Sequence, residues 1–353
     1  MDCELKQTLE CIKSVDPEWI ARAERRQLEL TKPPRSLGVL EEIANRLCAI
    51  QETLAPIVEQ REIYVFAASH GVCEENVSPY PSAVTAQMVL NFLDGGAAIN
   101  ALAKVAGAKL TVIDVGVDGE FAGGAENFVQ AKITNGSKNF TRGAAMSENE
   151  MTQALRIGFD LAKKARLKGT TIIGLGEMGI GNTTAASAIA AALLKLEPEG
   201  TTGRGTGADD EILQRKIETV RRAITINQPD ADDAFDVLRK VGGLEIAALV
   251  GLIIGAAANR TAIITDGFIA TAATALAVKA HPAIADYIFA AHLSVEQGHA
   301  SLLEYIKQKP IFDLQMRLGE GTGAALAMNV IVAACAAFLE MATFDSAAIS
   351  NRI

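Results

Sequence analysis

The sequence predicts an α/β fold with a doubly wound, mainly parallel sheet. Short apolar runs rich in β-branched residues alternate along the chain with longer, alanine-rich segments of helical character. The short runs are apolar at nearly every position, which is typical of strands that helices cover on both faces. Regular alternation of such strands with helices favours a parallel sheet.

Five strands are predicted, and each is followed by a polar or glycine-containing segment. Their ranges are 62–68, 110–115, 170–175, 262–265 and 287–291. Helix patterns lie between them, for example over 185–194 and 209–224, and residues 1–60 show helix patterns only. We expect a large α/β domain over 61–300 and a small helical lobe formed by 1–60 together with 301–353.

The composition disfavours several classes of partner. The chain of 353 residues carries a formal net charge of −9, whereas nucleic-acid binding depends on clustered Lys and Arg. Five scattered cysteines predict free thiols in a reducing compartment, and the charged N-terminus lacks the apolar core of a signal peptide. The apolar runs 246–258 and 324–338 are short or interrupted by Asn329, so neither predicts a membrane span. We predict a cytoplasmic protein.

Two glycine-rich turns predict a phosphate site. Residues 174–184 join the third predicted strand to a helix, and residues 202–207 open the next helix, which carries Lys216. Backbone N–H groups at such turns bind anions, and ligands of open parallel sheets lie beyond the carboxyl ends of the strands. The first turn matches GxGxxG, but the acidic residue expected about 20 positions later is missing. Asn182 and Thr183 stand where a nucleotide-binding P-loop has Lys and Ser or Thr.

Two carboxylates in glycine-rich settings are candidates for acid–base chemistry. Glu320 lies between Gly319 and Gly321 at the start of an apolar helix, and Glu177 follows Gly176. Glu320 could act as a base or could merely complement the positive end of a helix. Asp266, after the fourth predicted strand, could bind ribose hydroxyls or cap a helix, and both interpretations stay open.

The remaining polar segments give weaker signals. Tyr80 lies in a rigid loop between two prolines, where it would suit a flat aromatic ligand or simply a packed surface turn. His292, Glu296 and His299 suggest zinc, but the HExxH spacing is absent and no metal is predicted. A carboxylate can deprotonate a ring nitrogen, which can then displace a leaving group at an anomeric carbon. Glycosyl transfer on a nucleotide therefore fits these features.

Nine segments in order along the chain carry a resemblance to a known family, the nicotinate-nucleotide–dimethylbenzimidazole phosphoribosyltransferases of cobalamin biosynthesis. They are KPPRSLG (32–38), SHGV (69–72), NFLDGGAAIN (91–100), EMGIGNTT (177–184), GRGTG (203–207), VGGLEIA (241–247), DGF (266–268), HLS (292–294) and RLGEGTGAAL (317–326). The resemblance covers residues from about 31 to 330.

The resemblance implies transfer of phosphoribose from nicotinate mononucleotide to 5,6-dimethylbenzimidazole or a related base, giving α-ribazole 5′-phosphate and nicotinate. It implies that Glu320 is the general base and that Glu177 supports it. It also implies a Rossmann-like large domain, a homodimer, and no cofactor. The alternatives are a nicotinamide-dependent oxidoreductase, which would bind NAD at residues 174–179, and a noncatalytic nucleotide-binding regulator.

Two sets of binding residues follow from the same resemblance. The implied base pocket consists of Ser78, Tyr80, Pro81, Gln87, Met88 and Leu318. The implied phosphate and ribose site consists of Met178, Gly179, Ile180, Gly181, Asn182, Thr183, Gly205, Thr206, Gly207, Lys216, Asp266 and Ser294.

Overall fold

The structure is a computed structural model, and it describes residues 3–205 and 207–350. Within that part of the chain, seven strands form one parallel sheet in the order β3-β2-β1-β4-β5-β6-β7. The strands are β1 (Arg61–Ala68), β2 (Lys109–Gly116), β3 (Phe128–Gln130), β4 (Ile172–Met178), β5 (Ala262–Thr265), β6 (Ile288–His292) and β7 (Pro310–Phe312). The predicted α/β class and parallel sheet are confirmed.

Helices precede β1, follow β7 and lie in every interval between strands except the one from β2 to β3. They are α1 (Cys3–Cys11), α2 (Pro17–Glu29), α3 (Val39–Gln51), α4 (Val84–Leu93), α5 (Ala98–Val105), α6 (Glu148–Leu167), α7 (Asn182–Leu194), α8 (Pro198–Thr201), α9 (Asp210–Asn227), α10 (Ala234–Val241), α11 (Leu244–Ala258), α12 (Phe268–Ala280), α13 (His299–Tyr305) and α14 (Thr322–Glu340). Short 3₁₀ turns occupy Gly71–Glu75 and Pro282–Tyr287.

The central strands are buried because helices pack closely on the sheet. Every residue of β4 is buried, and in β1 only the first residue is partly exposed. The helix α11 contacts β1, β2, β4 and β5, while α14 contacts β1, β4, β5 and β6. At Gly174 of β4, an added Cβ would meet Met328 of α14 at 3.0 Å, so glycine permits this close packing.

The two chain ends contribute to more than a separate lobe. The helices α2 and α3 pack on each other, and α3 packs on α14, with a small core of Ala23, Ala44, Cys48 and Phe338. However, β7 extends the large sheet and α14 lies against it, although both fall within the range 301–353. The division into a 61–300 domain and a lobe stays a prediction.

The helix α14 is long and apolar enough to cross a membrane by length and composition alone. Its mean hydropathy is 2.0, and over half of the most apolar stretch is buried inside the protein. Because α14 packs against four strands, its apolar surface is explained by the core that it helps to form.

The strand order places the site at one edge of the sheet. The order reverses at β1 and β4, which pair directly with each other, so the loops that follow them leave in opposite directions and open a crevice. Residues after β4, β5 and β6 therefore come together at the carboxyl edge, as the sequence predicts.

Candidate active site

A cavity of about 570 Å³ lies at the carboxyl edge of the sheet and gathers residues from distant parts of the chain. Most of the predicted site residues line it. They are Tyr80, Met88, Glu177, Met178, Gly179, Ile180, Asn182, Thr183, Gly205, Ser294, Leu318 and Glu320. The loops that the sequence singled out therefore meet around one cavity.

Glu320 lies in a tight turn directly before α14. Its φ is +63°, and its neighbours Gly319 and Gly321 have φ of +83° and +85°. A left-handed conformation is uncommon for glutamate and costs on the order of 1–3 kcal/mol, which packing must offset. Part of that packing is the contact with β4, since a Cβ on Gly176 would lie 2.7 Å from the Glu320 carbonyl oxygen.

The carboxyl group of Glu320 is buried and faces the cavity. Glu320 is 6% exposed, and its Oε2 has no hydrogen-bond partner among the described residues. Burial raises the pKa of this carboxyl to about 7. A desolvated carboxylate that titrates near neutral pH is well suited to accept a proton from a ligand.

Glu177 at the end of β4 is the second carboxyl in the cavity. Its Oε2 accepts a hydrogen bond from Asn182 Nδ2, and Gly319 leaves room for its Oε1. Burial, together with the nearby carboxylates of Asp266, Glu245 and Glu320, raises the pKa of Glu177 to about 8. The pKa of Glu177 therefore lies above that of Glu320, so Glu320 is the first of the two to lose its proton as the pH rises.

The turn after β4, where the sequence predicts the phosphate site, lines the cavity. Gly181, with φ of +95°, caps the N-terminus of α7, so Asn182 and Thr183 lie in the first turn of that helix. Helix N-termini attract anions through free N–H groups and the helix dipole. The Ile180 N–H is directed elsewhere, because it donates to Thr85 Oγ1 of α4 at 3.0 Å.

Lys216 lies behind this turn and is almost completely buried. Its Nζ donates to Thr183 Oγ1 at 3.1 Å, and an added Cβ on Gly205 would lie 3.1 Å from Nζ. Burial lowers the pKa of Lys216 to about 8, and the carboxylate of Glu296 opposes that shift. Lys216 does not line the cavity, but Thr183, to which its Nζ donates a hydrogen bond, does.

Two predicted phosphate-site residues follow Gly205 in its loop. Gly207 is exposed, and the Thr206 prediction lies outside the described residues.

Asp266 after β5 behaves as a structural cap. Its Oδ2 accepts from the Gly321 N–H at 3.0 Å and its Oδ1 accepts from the Ala324 N–H at 3.1 Å. Burial raises the pKa of this carboxyl to about 7, and the hydrogen bonds from the α14 turn oppose that shift. Of the two interpretations that the sequence left open, this geometry favours the helix cap, and the ribose role stays a prediction.

Half-exposed apolar side chains form the outer wall of the cavity. Tyr80 and Leu318 are 49% and 51% exposed, and Met88 of α4 lies beside them in the wall. Ser78 and Pro81 line a neighbouring cleft of about 1340 Å³, which shares Tyr80 with the cavity. Gln87 is exposed and lines neither of these two spaces, so its predicted contact with a base stays untested.

Several lining residues were not predicted as binding residues. They are Val84, Gly267, Phe268, Ile269, His292, Glu296, Gln315, Arg317 and Gly319. Five of them, Gly267, Phe268, His292, Arg317 and Gly319, lie within the segments that carry the family resemblance, and that resemblance is the signal that could have found them. Within residues 3–205 and 207–350, no three His, Cys, Asp or Glu side chains lie close enough together to hold a metal ion.

Fold and site together define an α/β enzyme class in which one cavity is lined by a glycine-rich turn at a helix N-terminus and by two buried carboxyl groups. A family described as phosphoribosyltransferase matches residues 12–349. A protein from Geobacter sp. (strain M21) is 48% identical to this chain, over 98% of this chain and 99% of its own length. A protein from Chloroflexus aggregans is 46% identical, over 99% of this chain and 98% of its own length. Both are named nicotinate-nucleotide–dimethylbenzimidazole phosphoribosyltransferase.

A solved structure agrees with this assignment. The crystal structure of the enzyme of that name from Thermus thermophilus aligns with a TM-score of 0.90 and 44% identity, covering 96% of this chain and 100% of its own. The chain belongs to the family of nicotinate-nucleotide–dimethylbenzimidazole phosphoribosyltransferases.

Proposed function

We propose that this protein transfers the phosphoribosyl group of nicotinate mononucleotide to 5,6-dimethylbenzimidazole or a related base, with Glu320 as the general base. The products are α-ribazole 5′-phosphate and nicotinate. The main support for this proposal is Glu320. Its Oε2 is buried with no hydrogen-bond partner among the described residues, and its carboxyl group, which lines the cavity, has a pKa of about 7.

The chemistry needs only one proton acceptor. Glu320 takes the proton from one ring nitrogen of the acceptor, and the other nitrogen forms a bond to C1′ of the sugar. The bond from C1′ to the nicotinate nitrogen breaks, and its electron pair neutralises the pyridinium charge. Because the leaving group is already cationic, no acid is required, and attack from the opposite face gives the α product. A positioned base contributes about 10²- to 10⁴-fold to the rate.

We assign the donor nucleotide to the inner end of the cavity. The turn from Gly179 to Thr183 and the N-terminus of α7 would hold the phosphate, with Lys216 behind Thr183 as the positive charge. Glu177, protonated near pH 7, would support the site by holding Asn182 in place. Ser294 and Met178 complete the wall around the nucleotide.

We assign the acceptor base to the outer end of the cavity. Tyr80, Met88 and Leu318 offer an apolar wall of the kind that a flat aromatic ring needs. Leu318 lies two residues before Glu320, so an acceptor on this wall has a ring nitrogen close to the base.

We further propose that the protein acts as a homodimer in the cytoplasm, without a nucleic-acid or membrane partner. The net charge of −9 and the free cysteines support this compartment and partner range. Exposed apolar side chains such as Leu90 and Leu314 suit a subunit contact.

The activity can be tested with purified protein, nicotinate mononucleotide and dimethylbenzimidazole, with nicotinate release followed by chromatography and products identified by mass. We expect α-ribazole 5′-phosphate from the wild type and a loss of about 10²-fold or more in kcat for Glu320→Ala. Nucleotide binding, measured by calorimetry, should stay within a few-fold. Nucleotide binding without turnover would indicate a regulator, and a hydride-transfer signal with NAD would indicate an oxidoreductase.

A further inference from the structure

Glu296 is a buried carboxylate in the cavity with no role in the scheme above. It lies in the loop between β6 and α13, is 7% exposed, and lines the cavity near Ser294 and Gly205. Its Oε2 has no hydrogen-bond partner among the described residues. Leaving a buried carboxylate oxygen unpaired is unfavourable, so such an atom in a ligand cavity indicates a donor that arrives with the ligand.

The other buried carboxyl groups at or next to the cavity already have hydrogen bonds or a proposed role. Both oxygens of Asp266 accept backbone N–H groups from the α14 turn, and Glu177 accepts from Asn182. Glu320 lies on the turn before α14, where it serves as the base. Glu296 lines the cavity together with Thr183 and Gly205, and its charge also acts on Lys216.

The loop facing Glu296 is shaped to admit this side chain. A Cβ on Gly203 would collide with the Glu296 Oε2 and would lie 3.1 Å from the Gln297 backbone nitrogen. The same loop continues to Gly205, which lies against Lys216 Nζ and Thr183. Glu296 is thus held against the loop that also contacts Lys216 and Thr183, next to the proposed phosphate position.

Resting on the proposed function, we infer that the carboxylate of Glu296 accepts a hydrogen bond from a ribose hydroxyl of the donor nucleotide and makes the site selective for ribonucleotides. Ribose carries two neighbouring hydroxyl donors, and carboxylates read ribose hydroxyls in other nucleotide sites of α/β folds. A site built around such a bond rejects an analogue that lacks the hydroxyl, because the carboxylate is then desolvated without compensation.

The test compares nicotinate mononucleotide with its 2′-deoxy and 3′-deoxy analogues in the wild type, Glu296→Ala and Glu296→Gln. The readout is the ratio of kcat/KM for the ribonucleotide to that for each analogue, relative to the same ratio in the wild type. This double ratio cancels the intrinsic reactivity of deoxy sugars. Calorimetry without acceptor gives the matching ratio of binding constants.

We expect Glu296→Ala to reduce the discrimination against one of the analogues by about 10- to 100-fold, as for a hydrogen bond to a charged group. Glu296→Gln, which keeps an accepting oxygen, should lose less. Gly203→Ala is an independent variant, because its added methyl group displaces the carboxylate while leaving Glu296 in place. It should lower the same ratio, and it answers the question if Glu296→Ala does not fold.

Unchanged double ratios in Glu296→Ala and Gly203→Ala would overturn the inference. That outcome is separable from failure of the proposed function, in which the wild type itself would not convert nicotinate mononucleotide.

Discussion

Glu320 combines a strained backbone with a desolvated carboxyl group. Its positive φ between two glycines directs the side chain toward the cavity, while the contact with Gly176 prevents the turn from relaxing. Strained residues of this kind persist where the surroundings determine them, often at sites of function. The raised pKa follows from the same burial, so the backbone position and the basicity of Glu320 have one structural origin.

The rate should depend on pH through Glu320. Its carboxyl has a pKa of about 7, so the charged form that accepts a proton prevails above that pH and is lost below it. We expect kcat/KM of the wild type to fall about tenfold for each pH unit below about 7. A pH–rate profile, with the acceptor's own titration followed by absorbance, measures this limb.

The matched control for that profile is Glu320→Gln, which keeps the size of the side chain but cannot take the proton. Its residual rate should lack the limb near pH 7. If the limb persisted in this variant, it would belong to another group, and the assignment of the base would have to change.

At the scale of elements, Asp266 joins the end of β5 to the start of α14. Its two hydrogen bonds hold Gly321 and Ala324, which follow Glu320 in the turn and the first residues of the helix. The turn after β4 is held in a comparable way, because Thr85 of α4 accepts from the Ile180 N–H and the Cys73 thiol donates to the Ile180 carbonyl at 3.0 Å. Both turns that line the cavity are thus held by side chains from other elements.

Asp266→Ala should therefore act on the chemical step. Without the cap the turn loosens, and we expect a loss of about 0.5–2 kcal/mol in the free energy of unfolding. A base displaced by about 1 Å should lower kcat by up to about 10²-fold, while KM for the nucleotide stays within a few-fold. Steady-state kinetics and thermal unfolding measure the two effects.

Asp266→Asn serves as the control, since its amide oxygen still accepts one of the two backbone bonds. It should retain more of both kcat and stability than the alanine variant. A large rise in KM for the nucleotide with unchanged kcat would instead support the ribose role of Asp266.

At the scale of the whole molecule, the buried carboxyl groups of the site should destabilise the fold at high pH. Glu177 has a pKa of about 8 against an ordinary value of 4.5, so between these limits the folded protein binds a proton that the unfolded chain has released. The contribution of the Glu177 proton to the free energy of unfolding is thus fully present below about pH 4.5 and is lost as the pH rises through about 8. Each tenfold difference in proton affinity corresponds to about 1.4 kcal/mol.

Glu177→Gln isolates this contribution, because glutamine can still accept the hydrogen bond from Asn182. We expect a variant nearly as stable as the wild type at about pH 5 and more stable by about 1–3 kcal/mol at about pH 8.5. Chemical unfolding at the two pH values gives the comparison. A difference that does not grow with pH would mean that Glu177 is charged in the folded state.

The sequence was informative where a pattern is local. The five predicted strands are confirmed as β1, β2, β4, β5 and β6, because continuous apolar runs leave little alternative. The strands β3 and β7 were missed, since each has three residues, partly exposed at the sheet edges, and β7 begins with a proline. Such short edge strands carry no periodicity.

Long-range contacts limited the prediction of the site. Asp266 binds backbone groups 55 and 58 residues further along the chain, so its capping role cannot be recognised from neighbouring residues. Glu296 faces Gly203, which lies more than 90 positions earlier, and no local pattern distinguishes it from a surface glutamate. The glycine-rich turns, by contrast, are local signals, and both were found.

The wall formed by Tyr80, Met88 and Leu318 comes from two surface segments, whereas the residues proposed to hold the nucleotide lie close to the ends of the strands. Substitutions at half-exposed positions usually change stability by about 0.5 kcal/mol or less. A few mutations at these surface positions can therefore change which aromatic ring is accepted, while the residues proposed to bind the nucleotide stay the same. With the acceptor at this wall, as proposed, the preference for the incoming base is the more adaptable property.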